Sequence, residues 1–240
     1  MNVISLFYTA FAYVAIAIFL VGFLSRIIKY AKTPSPLNIT LTPGPTTRAG
    51  AVYRVVQEVG VFKSLFYSNR IIWLGGYIMH LGLALVLIKH LRFFFTPAPA
   101  SLAWITTFEA YAGFIFFVPL IFLFLLRLIT DRTFYISLLT DYIILVLLML
   151  IAATGILTKY YVRTDIIGVK EYIMGIVSFS PTAMPMDIIF ITHFTLVMLL
   201  LIYFPFSKLM HAGGIFFSPT RTQVDEPREV RHVNPWAVKG

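Results

Sequence analysis

IIWLGGYIMHLGLALVLIKHLRFFF, residues 71–95, decides the fold. Its 25 residues include no acidic side chain, and its two formal charges, Lys89 and Arg92, sit close together near one end. A helix rising about 1.5 Å per residue crosses a hydrocarbon core with about 20 such residues. The stretch therefore reads as a transmembrane helix, stopped by Thr96 and Pro97. It also carries His80 and His90, and polar groups placed inside a bilayer are costly enough to mark function.

Four more apolar stretches of similar length flank it, over residues 3–24, 104–126, 136–157 and 188–209. The first is too long for a signal peptide and lacks a small-residue cleavage site, so it is retained as a span. Pro119 inside the third predicts a kink. Hydrophobic residues make up 59% of the 240 positions and charged residues 12%, more apolar surface than a water-soluble domain can bury. Short segments of alternating polarity, the mark of a membrane β-barrel, are absent. The expected fold class is all-α, an integral membrane bundle of about five transmembrane helices. Residues 1–210 form the membrane domain and residues 211–240 an extended tail. Between the first two spans, residues 51–66 repeat apolar side chains at helical spacing among Arg54, Glu58 and Lys63. They read as an amphipathic helix on the membrane surface. Residues 158–186, with Pro181 and Pro185, read as a loop.

Cysteine is absent. Disulfides, thiolate metal sites, iron–sulfur clusters and covalently attached c-type haem are thereby excluded. Redox chemistry would need histidine, methionine or a bound organic cofactor. The net charge of +9 is read by its distribution and not as a nucleic-acid signature. Alternate loops 26–70, 127–135 and 208–240 hold seven, two and five of the 19 basic residues. That asymmetry places them in the cytoplasm, with the N-terminus outside and the tail cytoplasmic, in the inner membrane of the cell.

His80 and His90 lie ten residues apart on the second span, about 15 Å along a helix. His193 and His211 lie eighteen apart at the fifth, about 27 Å along one face. Neither spacing brings two imidazoles of one helix to one metal ion. Because the two spans run antiparallel, His80 meets His211 near the cytoplasmic side and His90 meets His193 near the outer side, given tilted helices. Opposed imidazoles in an apolar slot suit the iron of a b-type haem. Gly75, Gly76, Gly82 and Ala84 are expected to let a flat macrocycle approach the backbone. His232 in the tail reads as solvated. Interhelical hydrogen bonding is the plainer alternative for membrane histidines. Three other classes compete: a desaturase-like metal enzyme, a transporter and a bare membrane anchor. Clustered histidine boxes and repeated halves are missing, and the paired histidines argue against an anchor.

The stretch HLGLALVLIKHLRFFFTP (80–97) and the pair His193 and His211 resemble the gamma subunit family of respiratory nitrate reductase, membrane b-type cytochromes. The run FPFSKLMHAGGIFFSPTR (204–221) resembles the DsrM branch of that superfamily, from the DsrMKJOP complexes of sulfur metabolism. The resemblance implies two haem b groups, with His80 and His211 as axial iron ligands of the cytoplasm-proximal one and His90 and His193 of the distal one. It further implies exchange of electrons with menaquinone or another quinone near the distal haem. On the cytoplasmic side it implies a DsrK-like iron–sulfur subunit and other DsrMKJOP-type subunits. Residues 51–66 and 212–240 are candidate docking surfaces for that subunit, or simply solvated positive loops. Arg92, Arg127 and Arg221 are candidate partners of haem propionates, as are Lys89, Lys159 and Arg132, although basic residues at helix ends more often reach headgroups. Glu109 is the candidate quinol-proton acceptor, with a helix-end carboxylate reaching water as the plainer reading. Asp141 and Asp187, also near span ends, receive no role.

Overall fold

A computed structural model describes residues 2–35, 43–97 and 106–225, for 106–110 the helical backbone alone. Most of the described residues are helical, and none of them forms a strand. Among the described residues five helical stretches are long and apolar enough to cross a membrane, carried by α1 (Val3–Lys32), α4 (Arg70–His90), α5 (Thr106–Ile129), α7 (Leu139–Leu157) and α9 (Ile188–Tyr203), the last reaching that length with the turn that follows it to Phe206. Between α1 and α4 lie α2 (Arg48–Val61) and α3 (Lys63–Ser68). The short α6 (Asp131–Tyr135) links α5 to α7, and α8 (Ile166–Val177) links α7 to α9. After α9 come α10 (His211–Gly214) and α11 (Pro219–Thr222). The chain is a multi-pass membrane protein. Leu81, Leu87, Val118, Leu125, Ile143 and Leu150 stand exposed on the spans, an arrangement stable only against acyl chains.

Small residues and a proline set the seam between α4 and α5. A methyl group added at Gly82 would lie 2.7 Å from the carbonyl oxygen of Ile115 and 2.6 Å from the amide nitrogen of Phe116. Pro119 lies inside α5 and has no N–H, so it cannot cap the Ile115 carbonyl in the usual way. Gly82 packs its bare backbone onto that carbonyl. One face further along, a Cβ at Gly75 would meet the Phe122 ring at 2.8 Å. The expectation that these glycines admit a macrocycle is therefore corrected: Gly75 and Gly82 face α5 and serve helix–helix approach.

Helix α5 packs in turn on α7, α7 on α9, and α9 on α1. Helices α4 and α9 thus flank the α5–α7 pair without a close backbone seam of their own. Phe116, Leu120, Leu148 and Ala152 form a buried apolar cluster, joined by Met79, Leu83 and Val86 from α4 and Leu200 from α9. A second cluster binds α1 to α8 and α9 through Ala12, Ala15, Tyr172, Phe190, Phe194 and Met198. Its buried polar groups are satisfied: the Thr9 hydroxyl donates to the Ser5 carbonyl at 2.8 Å, and the Met184 N–H donates to the Ser5 hydroxyl at 3.0 Å.

Several boundaries differ from expectation. Helix α1 runs on to Lys32, because nothing before Pro34 stops it. The surface segment is two helices, broken at Phe62 with φ 51. The span expected at 188–209 stops being α-helical at Tyr203. Pro205 withholds a backbone donor there and is fully buried, with Gly22 giving it room. Short 3₁₀ turns follow at Phe204–Phe206 and Lys208–Met210, separated by Ser207 in an extended conformation. Helix α8 occupies the segment read as a loop; it is apolar but only 12 residues long, too short to span. The described part of the tail, to residue 225, consists of one-turn helical pieces folded back on the bundle rather than an extended strap.

Candidate functional site

Each of the four paired histidines is oriented by an acceptor, three from their own local structure and one from a neighbouring helix. On α4, Nδ1–H of His80 donates to the Gly76 carbonyl at 2.7 Å, and Nδ1–H of His90 donates to the Val86 carbonyl at 2.6 Å. Both reach back one helical turn. After the break in the fifth span, Nδ1–H of His211 donates to the Lys208 carbonyl at 2.7 Å. His193 reaches across to α7, where Nδ1 lies 3.1 Å from the Ile151 carbonyl and 3.0 Å from Oγ1 of Thr154. The Thr154 hydroxyl spends its own proton on the Leu150 carbonyl at 2.7 Å, so it accepts from the imidazole. A carbonyl cannot donate, so Nδ1 of each of these four rings carries a proton, and in the neutral imidazole Nε2 is then the nitrogen with the free lone pair.

Those lone pairs belong to rings that face one another in two sets. His80 and His211 have ring centroids 6.0 Å apart with planes at 79°. His90 and His193 have centroids 6.4 Å apart with planes at 24°. A metal ion bound to two imidazole nitrogens by bonds of about 2 Å sets the ring centroids roughly 6 Å apart. No group of three or more histidine, aspartate or glutamate side chains gathers around a possible metal position among the described residues. Two opposed imidazoles with no third protein ligand fit an iron whose other four ligands come from a macrocycle, and this donor set therefore suits haem b. The walls suit it as well, since the face of α4 between His80 and His90 presents Leu83 and Val86 within the apolar cluster.

The ring pairs lie toward opposite ends of the bundle, and each end has its own cover. Over His80, the Phe62 ring stands edge-on at 4.9 Å, carried there by the α2–α3 corner. Trp73 on α4 holds that corner by donating its indole N–H to the Val61 carbonyl at 2.7 Å. Glu58, nearly buried, accepts from the Ser64 hydroxyl and pairs with Arg221 of α11 at 3.6 Å. At the other end the 3₁₀ turn Leu91–Phe93 packs under α8, and Phe93 stands 5.9 Å from the His90 ring.

The remaining candidates separate clearly. Arg92 sits two residues from His90 with its guanidinium over the Phe93 ring at 5.1 Å. Arg127 bonds the Ser137 hydroxyl at 3.0 Å and pairs with Asp141 at 3.1 Å, so its first commitment is to a carboxylate of this chain. The same holds for Arg221 with Glu58. Lys159 lies over the Tyr160 ring at 5.2 Å, Lys89 stands in the last turn of α4, and Arg132 is exposed on α6. Glu109 belongs to the start of α5, but its side chain lies outside the described residues, as does all of His232. Asp187 caps α9, accepting from the Ile189 N–H at 2.8 Å. Together with Asp165, Thr164, Met184 and Met186 it lines a shallow cavity of about 500 Å³ beneath α8. Sequence reasoning missed Thr154 and Phe62. The first shows itself only through a neighbouring helix, the second only through a corner that no apolar period announces.

Two relatives carry the same overall length of likeness. A protein of Archaeoglobus fulgidus described as an Hdr-like menaquinol oxidoreductase cytochrome b-like subunit is 36% identical, over 93% of this chain and 81% of the relative. A protein of Archaeoglobus profundus with the same description is 29% identical, over 95% of this chain and 81% of the relative. The profile of the nitrate reductase gamma subunit family matches residues 49–231, a stretch that contains both ring pairs, every span but the first and the folded-back tail. With the likeness running through most of its length, the chain belongs to the nitrate reductase gamma subunit family.

Proposed function

We propose that this chain is the di-haem b subunit of a membrane oxidoreductase, exchanging electrons between the quinone pool and a cytoplasmic iron–sulfur partner. The carrying observation is the pair of opposed imidazole sets, each at the separation a bis-histidine iron requires and each with its Nδ1 already engaged. Bound haem supplies reversible one-electron transfer. The protein's part is to hold ligands, exclude water and fix orientation. His80 and His211 are assigned to the cytoplasm-proximal haem, His90 and His193 to the distal one. Arg92 is assigned to a distal propionate; Arg127 and Arg221 have donors left for the proximal one beyond their ion pairs. Glu109 is retained as the proposed proton acceptor from quinol.

Names borne by the relatives favour menaquinol as the quinone substrate. They equally support a heterodisulfide-reductase-like complex. The run at 204–221 favours the DsrM branch, and with it a DsrK-like subunit as partner and sulfur metabolism as the setting. Basic loops 26–70, 127–135 and 208–240 then face the cytoplasm and the outer end faces the N-terminal side. The test is addition of a menaquinol analogue to the purified chain. Rapid appearance of reduced haem b bands supports the reading. Haem that dithionite reduces but no quinol reduces would remove the quinone from it.

A further inference from the structure

The break in the fifth span poses a mechanical problem. His211 follows two 3₁₀ turns and opens a helix of four residues, Phe204 to Gly214 in all. Such short pieces contain few internal hydrogen bonds and hold a ligand only as firmly as their outside contacts allow. Pro205 and Gly213 pack that segment on α1, and two polar contacts that bear on His211 come from a single residue. Lys208 offers its backbone carbonyl to Nδ1 of His211 at 2.7 Å and extends its ammonium to Oδ2 of Asp141, also at 2.7 Å. Asp141 is itself rigidly held. It lies in the first turn of α7, is 6% exposed, accepts from the Leu138 N–H at 3.0 Å and pairs with Arg127 of α5 at 3.1 Å. One carboxylate therefore ties the end of α5, the start of α7 and the segment bearing His211.

We infer that Asp141 is a positioning residue for His211, acting through Lys208. It anchors the ammonium, the side chain fixes the Lys208 peptide, and the Lys208 carbonyl sets the plane of the imidazole. The inference rests on the haem reading for its consequence but on the protein's own atoms for its geometry. A buried carboxylate that has lost one cation keeps another in Arg127, so the fold need not fail when Lys208 is changed.

The test compares Lys208→Met and Lys208→Arg in the full-length chain, with Asp141→Asn and Asp141→Glu as the reciprocal pair. Backbone carbonyls are common to all four; the Lys208 variants change the tether alone, while the Asp141 variants also touch Arg127 and the Leu138 N–H. Two readouts are taken. Hydrogen exchange of amides 207–213 in haem-free protein should quicken several-fold in the Met and Asn variants and return toward the unmodified rate in Arg and Glu. In haem-loaded protein, the low-spin resonance of the His80/His211 haem should shift or broaden in the same two variants, with the His90/His193 resonance unchanged as an internal control. Unchanged exchange at 207–213 in Lys208→Met would overturn the inference. So would equal loss of both haems, since that marks a general structural role. Absence of haem from the unmodified chain would defeat the proposed function instead, leaving the exchange result to decide the tether.

Discussion

At His193 the imidazole N–H is shared between two acceptors on α7, the Ile151 carbonyl and the Thr154 hydroxyl. His80, His90 and His211 have one backbone carbonyl each. Hydrogen bonds to Nδ1–H raise the basicity of the opposite nitrogen and favour the more oxidised metal. Thr154→Val should therefore raise the potential of the His90/His193 haem by roughly 20–40 mV, the worth of a bond of about 0.5–1 kcal/mol. Redox titration of the two haems reads this directly, and a shift of the other haem instead would reverse their assignment. Ring orientation offers a second check. The His90 and His193 planes meet at 24° and the His80 and His211 planes at 79°, so two bound haems would give different low-spin resonances, the crossed pair being the more anisotropic. The four histidines were legible because their intervals and the antiparallel spans leave few ways to pair them. Thr154 was not, since one threonine in an apolar helix looks like any other until a neighbouring helix brings an imidazole to it.

Elements show where periodicity stops being informative. All five spans were readable because bilayer thickness imposes a length on any apolar helix. Eighteen residues between His193 and His211 implied five straight turns and hence strong tilt. The structure answers with a break at Pro205 and Ser207, which redirects the chain toward His80. The expected span ran straight through Pro205, and packing against Gly22 on α1 explains how the proline is accommodated there. Glycine positions give the sharpest test at this scale. Gly82→Val should lower stability by roughly 1–3 kcal/mol, because its side chain must displace the α5 backbone at Ile115. Gly60→Ala, with nothing within 4 Å of the new methyl, should be neutral or stabilise α2 by about 0.5–1 kcal/mol. Thermal midpoints of detergent-solubilised protein separate the two, and equal destabilisation would contradict the close α4–α5 seam.

Across the whole molecule the spans, the paired histidines and the folded-back tail make one arrangement. An apolar bundle sets one histidine pair between α4 and α10 and the other between α4 and α9, with each end covered by a short element, the α2–α3 corner or α8. Helix α8 escaped sequence reading because a 12-residue apolar segment between prolines and charges carries no length signal. Sidedness is proposed from the basic loops and is open to a direct check, as the chain has no cysteine of its own. A single cysteine at Ser178, exposed near α8, should react with a membrane-impermeant thiol reagent in intact cells, and one at exposed Tyr53 on α2 only after lysis. The reverse pattern would invert the bundle and move the quinone-facing end. The central claim is tested most directly by counting haem in the purified chain beside its His90→Ala and His80→Ala variants. Two haem b per unmodified chain are expected, with each variant keeping the haem of the other pair. A colourless preparation from cells supplied with haem, or complete loss from either single change, would contradict two independent bis-histidine sites.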